Sequence, residues 1–167
     1  MNVRRFVLAL ATIAIVGIGG TGTAAPNPPA KHKALSGGIT AEVPVFIPIG
    51  LHGCKRVLFH PGEHHLTGAI EGEIKEDGWF VIDQCTGNGI YYVVAEFTGT
   101  VLGSEPGTAT FTADGLIRNS TIIDKGDFTL NGGAGGLAGV NAVGTFHFTM
   151  GVGGEYVGTA YFDHKSK

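Results

Sequence analysis

Residues 128–150, F-T-L-N-G-G-A-G-G-L-A-G-V-N-A-V-G-T-F-H-F-T-M, set two strand-like runs on either side of a turn containing five glycines: Gly132, Gly133, Gly135, Gly136 and Gly139. Phe128, Leu130 and the run from Val143 to Met150 are β-branched or aromatic with small residues interleaved, which suits a pleated surface. Glycine reaches φ > 0 without strain and lets two backbones come close, so the turn is tight and packed. Leu137 and Val140 are its only sizeable side chains and are expected to plug its underside.

A glycine cluster also raises the question of phosphate binding. Gly133-Ala-Gly135-Gly-Leu-Ala138 satisfies the loose dinucleotide pattern, but that site needs a helix directly after it, because the phosphate sits on the helix N-terminus. The next residues, Val143-Gly-Thr-Phe-His-Phe-Thr-Met, alternate like a strand instead, and no Gly-Lys-Ser/Thr is present. Nucleotide binding is excluded on context.

Elsewhere the chain repeats the same rhythm. Strands are predicted over Leu66–Lys75, Trp79–Asp83, Ile90–Leu102, Gly107–Ala113, Leu116–Ile123, Gly126–Leu130, Val143–Val152 and Glu155–Phe162. Glu76-Asp-Gly78 and Asp114-Gly115 read as turns between them. Ala41 to Leu51 is apolar but holds Pro44 and Pro48, which confine it to an edge strand or an extended arm. No helical stripe appears, so the class is all-β. Short turns between neighbours predict an up-and-down antiparallel meander, and one of this size closes naturally into an eight-stranded barrel, although the pattern alone also admits a two-sheet sandwich.

Gly132-Gly-Ala-Gly-Gly-Leu-Ala-Gly-Val140 and then Gly144-Thr-Phe146 resemble the glycine-rich turn of the allene oxide cyclase and dirigent-like barrels. Within that group the chain is most similar to a bacterial family of unknown function, and the likeness runs from Leu66 to Phe162. The resemblance implies a closed eight-stranded barrel with an apolar lumen that steers a reactive conformer by shape, without a cofactor. The acidic, asparagine and arginine residues that act in those proteins lie outside the matching turn, so no catalytic residue is carried over.

The N-terminus reads as an export signal. Arg4 and Arg5 precede an apolar run from Phe6 to Ile18, too short to span a bilayer, and Gly22-Thr-Ala24 fits the small-x-small cleavage rule. The expected organisation is a signal peptide over 1–24, a flexible lead-in over 25–40 and one barrel domain over 41–167. The mature protein would be secreted, extracellular or periplasmic. Of 11 basic residues, the two arginines leave with the signal, giving 9 against 14 acidic ones and a formal charge of −5. That argues against nucleic acid or an anionic membrane surface as partner. Homo-oligomerisation is compatible with such a chain. Cys54 and Cys85 are the only cysteines, and in an exported protein such a pair is expected to form a disulfide.

Several residues carry candidate chemistry. His60-Pro-Gly-Glu63-His64-His65 is the densest group of potential metal ligands, provided that Pro61-Gly62 turns the chain and brings His60 back toward Glu63, His64 or His65. The alternative is a solvated loop. Glu96 interrupts an apolar strand and is either a buried acid or, as the alternation favours, a solvent-facing one. Arg118, His147 and Tyr91 each suit polarising a ligand oxygen or, more plainly, a place on the surface or rim. Strand parity assigns Val93, Ala95, Phe97, Phe111, Phe146 and Phe148 to the lumen as ligand-contacting residues.

Three functions stay open on these grounds. One is a barrel that binds a small lipid- or phenol-like molecule, with cyclase- or isomerase-type steering as its catalytic form. Another is a structural or protein-interaction module. The third is a metal-binding protein using the His60 to His65 segment.

Overall fold

Alternation with a period of two organises the described part of the chain. The computed structural model describes residues 31–40 and 44–163, and among them are nine strands. These are β1 (Lys33–Thr40), β2 (Ile47–His52), β3 (Lys55–Gly68), β4 (Ile70–Asp83), β5 (Gly89–Val101), β6 (Gly107–Arg118), β7 (Ile122–Gly135), β8 (Val140–Thr149) and β9 (Gly153–Phe162). They form one antiparallel sheet in the order β1-β9-β8-β7-β6-β5-β4-β3-β2. β1 also pairs with β3, Gly37 to Thr40 lying opposite Gly68 to His65, so the sheet closes on itself as a ring. β2 stands outside that ring, hydrogen-bonded to the first part of β3.

Several expected boundaries move. The predicted lead-in over 25–40 gives way at Lys33 to β1, which is held between β9 and β3. The predicted strand 66–75 in fact spans a hairpin, because the chain turns at Gly68-Ala69. Conversely, Glu76-Asp-Gly78 and Asp114-Gly115 do not turn, and β4 and β6 run through them. In both cases a glycine beside an acidic residue imitated turn chemistry while the sheet register overrode it. Among the described residues the count is accordingly nine strands rather than eight. The predicted signal peptide, residues 1–24, lies outside the described residues.

One face of each strand fills the ring. On β5 the inward side chains Tyr91, Val93, Ala95, Phe97 and Val101 are all buried, while Tyr92, Val94, Glu96 and Thr98 are exposed. Ala109, Phe111 and Ala113 on β6, Phe128 and Leu130 on β7, and Phe146 and Phe148 on β8 continue the interior. Burying each phenylalanine contributes about 2–3 kcal/mol. Leu137 and Val140 are fully buried at the glycine-rich turn. Cys54 and Cys85 are disulfide-bonded, with Cα atoms 5.7 Å apart, and join the β2–β3 turn to the β4–β5 turn. A closed loop of that size stabilises by roughly 3–4 kcal/mol on the chain-entropy account.

The glycine-rich turn separates two demands on glycine. Gly132 and Gly139 both hold positive φ, 67° and 77°. A Cβ at Gly132 would meet nothing within 4 Å, whereas at Gly139 it would lie 2.5 Å from the carbonyl oxygen of Asp163. Gly132→Ala is therefore expected to cost about 1–2 kcal/mol, the backbone penalty alone. Gly139→Val should cost more, about 3–4 kcal/mol, because a backbone clash is added. Urea unfolding of the two variants checks this, and equal losses would contradict it.

Candidate functional site

Strand β3 carries the residues that matter most. Pro61 and Gly62 do not bend it: His60 to His64 stay paired with Gly78 to Ile74 of β4. On its other flank β3 pairs with β2 only as far as Phe59 and with β1 only from His65. Proline is tolerated there because, among the described residues, this stretch has no second neighbouring strand to supply with a donor. Since the chain stays extended, its side chains alternate. His60, Gly62 and His64 fall on the inward side, and Pro61, Glu63 and His65 on the outward side.

The four-residue metal set expected from the sequence is thereby divided. His65 and Glu63 group with Glu73 on the outer face, with His65 Nδ1 3.8 Å from Glu73 Oε1. His60 and His64 instead meet Glu76, whose inward position on β4 the supposed turn had hidden. Glu76 Oε1 lies 3.3 Å from His64 Nε2 and 3.7 Å from His60 Nε2. The phenol of Tyr91 on β5 donates to Glu76 Oε2 at 3.3 Å. His60 Nδ1 lies 2.9 Å from the carbonyl oxygen of Val45.

Local geometry explains how two histidines four residues apart on a strand come together. Fully extended, their Cα atoms would be about 13 Å apart, yet the ring centroids are 6.1 Å apart. The His60 ring lies over Gly62, where an added Cβ would fall 2.5 Å from His60 Nε2. Aromatic walls hold the rings: Phe46 and Phe80 pack on His60, and Phe148 meets His64 edge-on at 5.4 Å. Burial raises the Tyr91 pKa well above the ordinary 10.0, and the nearby Glu76 carboxylate and its hydrogen bond raise it further. The phenol is thus kept as a proton donor.

The cluster borders open space. A cavity of about 40 Å³ is walled mainly by Ile70, Ile74, Phe111, Ala113, Phe128 and Phe146, with His64, Glu76, Tyr91 and the Tyr156 side chain as its polar lining. His64, Glu76 and Tyr91 also line a second space of about 20 Å³ beside Pro44, Phe46 and Met150. His60 and Glu76 reach an open outer cleft along Pro61, Gly62, Lys75 and Asp77. Tyr156 serves the fold: its hydroxyl accepts from the Ile70 amide at 2.7 Å and faces the Thr67 and Ile70 carbonyls, pinning the β3–β4 turn.

The remaining sequence candidates are dispersed. Phe111, Phe146 and Phe148 line these spaces, while Val93, Ala95 and Phe97 are buried without lining either. Glu96 is exposed opposite Lys75. Arg118 pairs with Asp124 at 3.0 Å on the surface, and His147 leans on the Asp124 carbonyl at 3.2 Å. Glu76 is the functional candidate that sequence reasoning missed. Its parity with Ile74, Phe80 and Ile82 was the available signal.

Fold and site together define a small antiparallel all-β ring with one polar cluster set into an apolar interior. A solved structure of a protein of unknown function from the DUF3224 family of Shewanella oneidensis MR-1 is similar, with a TM-score of 0.63. The match covers 80% of this chain and 99% of that one at 13% identity, a likeness of fold alone. No protein-family model and no curated protein matches the chain. Among the described residues no helix is long and apolar enough to cross a membrane.

The Tyr91 environment predicts an alkaline signature. A proton held more tightly in the folded state stabilises it fully below pH 10, and that contribution is lost as pH rises through the folded pKa. Of the four tyrosines, Tyr91 should be the last to ionise in an absorbance titration. Tyr91→Phe should remove that late step and flatten the fall in stability above pH 10. A Tyr91→Phe titration with the late step intact would show that the phenol is not buried against Glu76.

Proposed function

We propose that this chain is a secreted up-and-down β-barrel that binds a small, mainly apolar molecule bearing one hydroxyl or carbonyl oxygen. The observation that carries this is the interior cavity: apolar on most sides, with Tyr91, Glu76 and His64 converging on it as polar tips. Such a lining, apolar walls with a few placed polar groups, is the usual make-up of a small-molecule site. Its volume of about 40 Å³ favours a single-ring, phenol-like molecule over an acyl chain. A single water needs about 10–15 Å³ on this scale, so even one ring requires neighbouring side chains to give way. Phe146, Phe148 and Phe111 are the movable walls.

The same reading supports kinship with the allene oxide cyclase and dirigent-like barrels, the glycine-rich turn being its sequence basis. Its catalytic form is cyclase- or isomerase-type steering without a cofactor, in which the cavity fixes a conformer and Tyr91 or His64 polarises the ligand oxygen. Export rests on the Arg4-Arg5 leader pattern and on the Cys54–Cys85 bond, which persists in oxidising compartments. A second reading, self-association, draws on the outer face of β4 to β6. There Trp79, Ile90, Tyr92 and Leu116 are exposed, and the Phe59 ring packs against Trp79 at 5.2 Å. Light scattering that finds only monomer at high concentration would dismiss it.

Calorimetric titration with 4-methylphenol and with a long-chain fatty acid tests the main reading. Wild type should bind the phenol saturably, one per chain, and the fatty acid not at all. Ala113→Leu, which fills the cavity at a packing cost of about 1–3 kcal/mol, should abolish phenol binding while the protein remains folded by circular dichroism. Absence of saturable binding, or binding indifferent to Ala113→Leu, would overturn it.

A further inference from the structure

The geometry points to a divalent transition-metal site made by His60, His64 and Glu76. This goes beyond the small-molecule reading and does not rest on it. The donor atoms of the three residues all lie within 4.8 Å of one another. A metal about 2.1 Å from each of two ligands at a tetrahedral angle sets those ligands about 3.4 Å apart. The two histidine–carboxylate separations, 3.3 and 3.7 Å, bracket that value.

Proton placement supports the same conclusion. The Val45 carbonyl can only accept, so His60 Nδ1 donates to it, and a ring with a single proton has its lone pair on Nε2. Its Nε2 then presents a lone pair toward Glu76 Oε1, itself an acceptor. Lone pairs converging in a buried place repel unless a cation or an added proton lies between them. Histidine ligands to metals ordinarily donate their other ring nitrogen to a backbone carbonyl or carboxylate, and ligating carboxylates are held by a further hydrogen bond. Val45 and Tyr91 supply those two supports.

The donor chemistry narrows the ion. Two imidazoles and one carboxylate suit zinc or iron(II), and leave further positions for water or an oxygen-bearing molecule. His64 and Glu76 line the interior cavity, so those positions adjoin it. His60 and Glu76 also line the outer cleft, which gives an ion its way in. Gly62 is the residue that lets the His60 ring fold over the strand toward this point.

Cobalt(II) titration followed by visible absorbance tests the site, with zinc-dependent thermal shift as a second readout. Wild type should take up one ion per chain, develop the ligand-field bands of a low-coordinate histidine site, and melt at higher temperature with zinc. His64→Gln and Glu76→Gln should lose this binding. Tyr91→Phe, which removes the hydrogen bond holding Glu76 without touching the ion, should weaken it about 10- to 100-fold. His65→Ala with Glu73→Gln, on the outer face, should leave it unchanged. Wild-type protein with neither bands nor a thermal shift would show a salt-bridged cluster only and overturn the proposal, whichever variants fold. Uptake that depends on His65 and Glu73 instead would also overturn it. Neither outcome bears on phenol binding, because Ala113 supplies no donor.

Discussion

Closure of the sheet by β1 against β3 is the constraint on which everything else depends. A twisted sheet with two free edges leaves rows of unpaired amides and carbonyls, and one inward face half open to water. Four residues of β1, Gly37 to Thr40, reduce both problems and close the ring by pairing with His65 to Gly68. The interior then becomes a space bounded by eight strands, into which they direct their side chains. Because β1 takes only the far end of β3 and β2 only the near end, His60 to His64 are left between two partners. The polar cluster sits at this interval in the wall.

A charged and polar group inside an apolar ring is costly unless its members satisfy one another. One oxygen of Glu76 accepts from the Tyr91 phenol, and the other faces the two histidine Nε2 atoms at 3.3 and 3.7 Å. The arrangement draws on three strands, so each partner is fixed by sheet register rather than by a loop. A carboxylate placed this way is held by the sheet itself and by the packed aromatic rings beside it.

The all-β class and the faces of β5, β6 and β8 were legible in the sequence because Val93 to Phe97, Ala109 to Ala113 and Phe146 to Phe148 alternate cleanly. β1 was not. Its Lys-Ala-Leu-Ser-Gly-Gly-Ile-Thr has little hydrophobic content, and its place is dictated by strands more than a hundred residues away and by the β3 edge. The site was half legible. His60 and His64 drew notice as potential ligands, but Pro61-Gly62 and Asp77-Gly78 each signal a turn locally. Both pairs lie opposite one another in a long hairpin, where cross-strand pairing outweighs turn preference. Reading both as turns broke the parity that would have set Glu76 beside the histidines.

The seam between β1 and β9 joins the beginning of the sheet to its end: Lys33 lies opposite Ala160. During synthesis β1 emerges first and can find β3 early, but its other margin has no neighbour until the last strand appears, so the ring is the final structure to form. Loss of a short C-terminal stretch would therefore not trim the molecule but reopen it. β8 and β1 would each present a bare margin, and two damaged chains could stitch together along the strands that an intact chain reserves for itself.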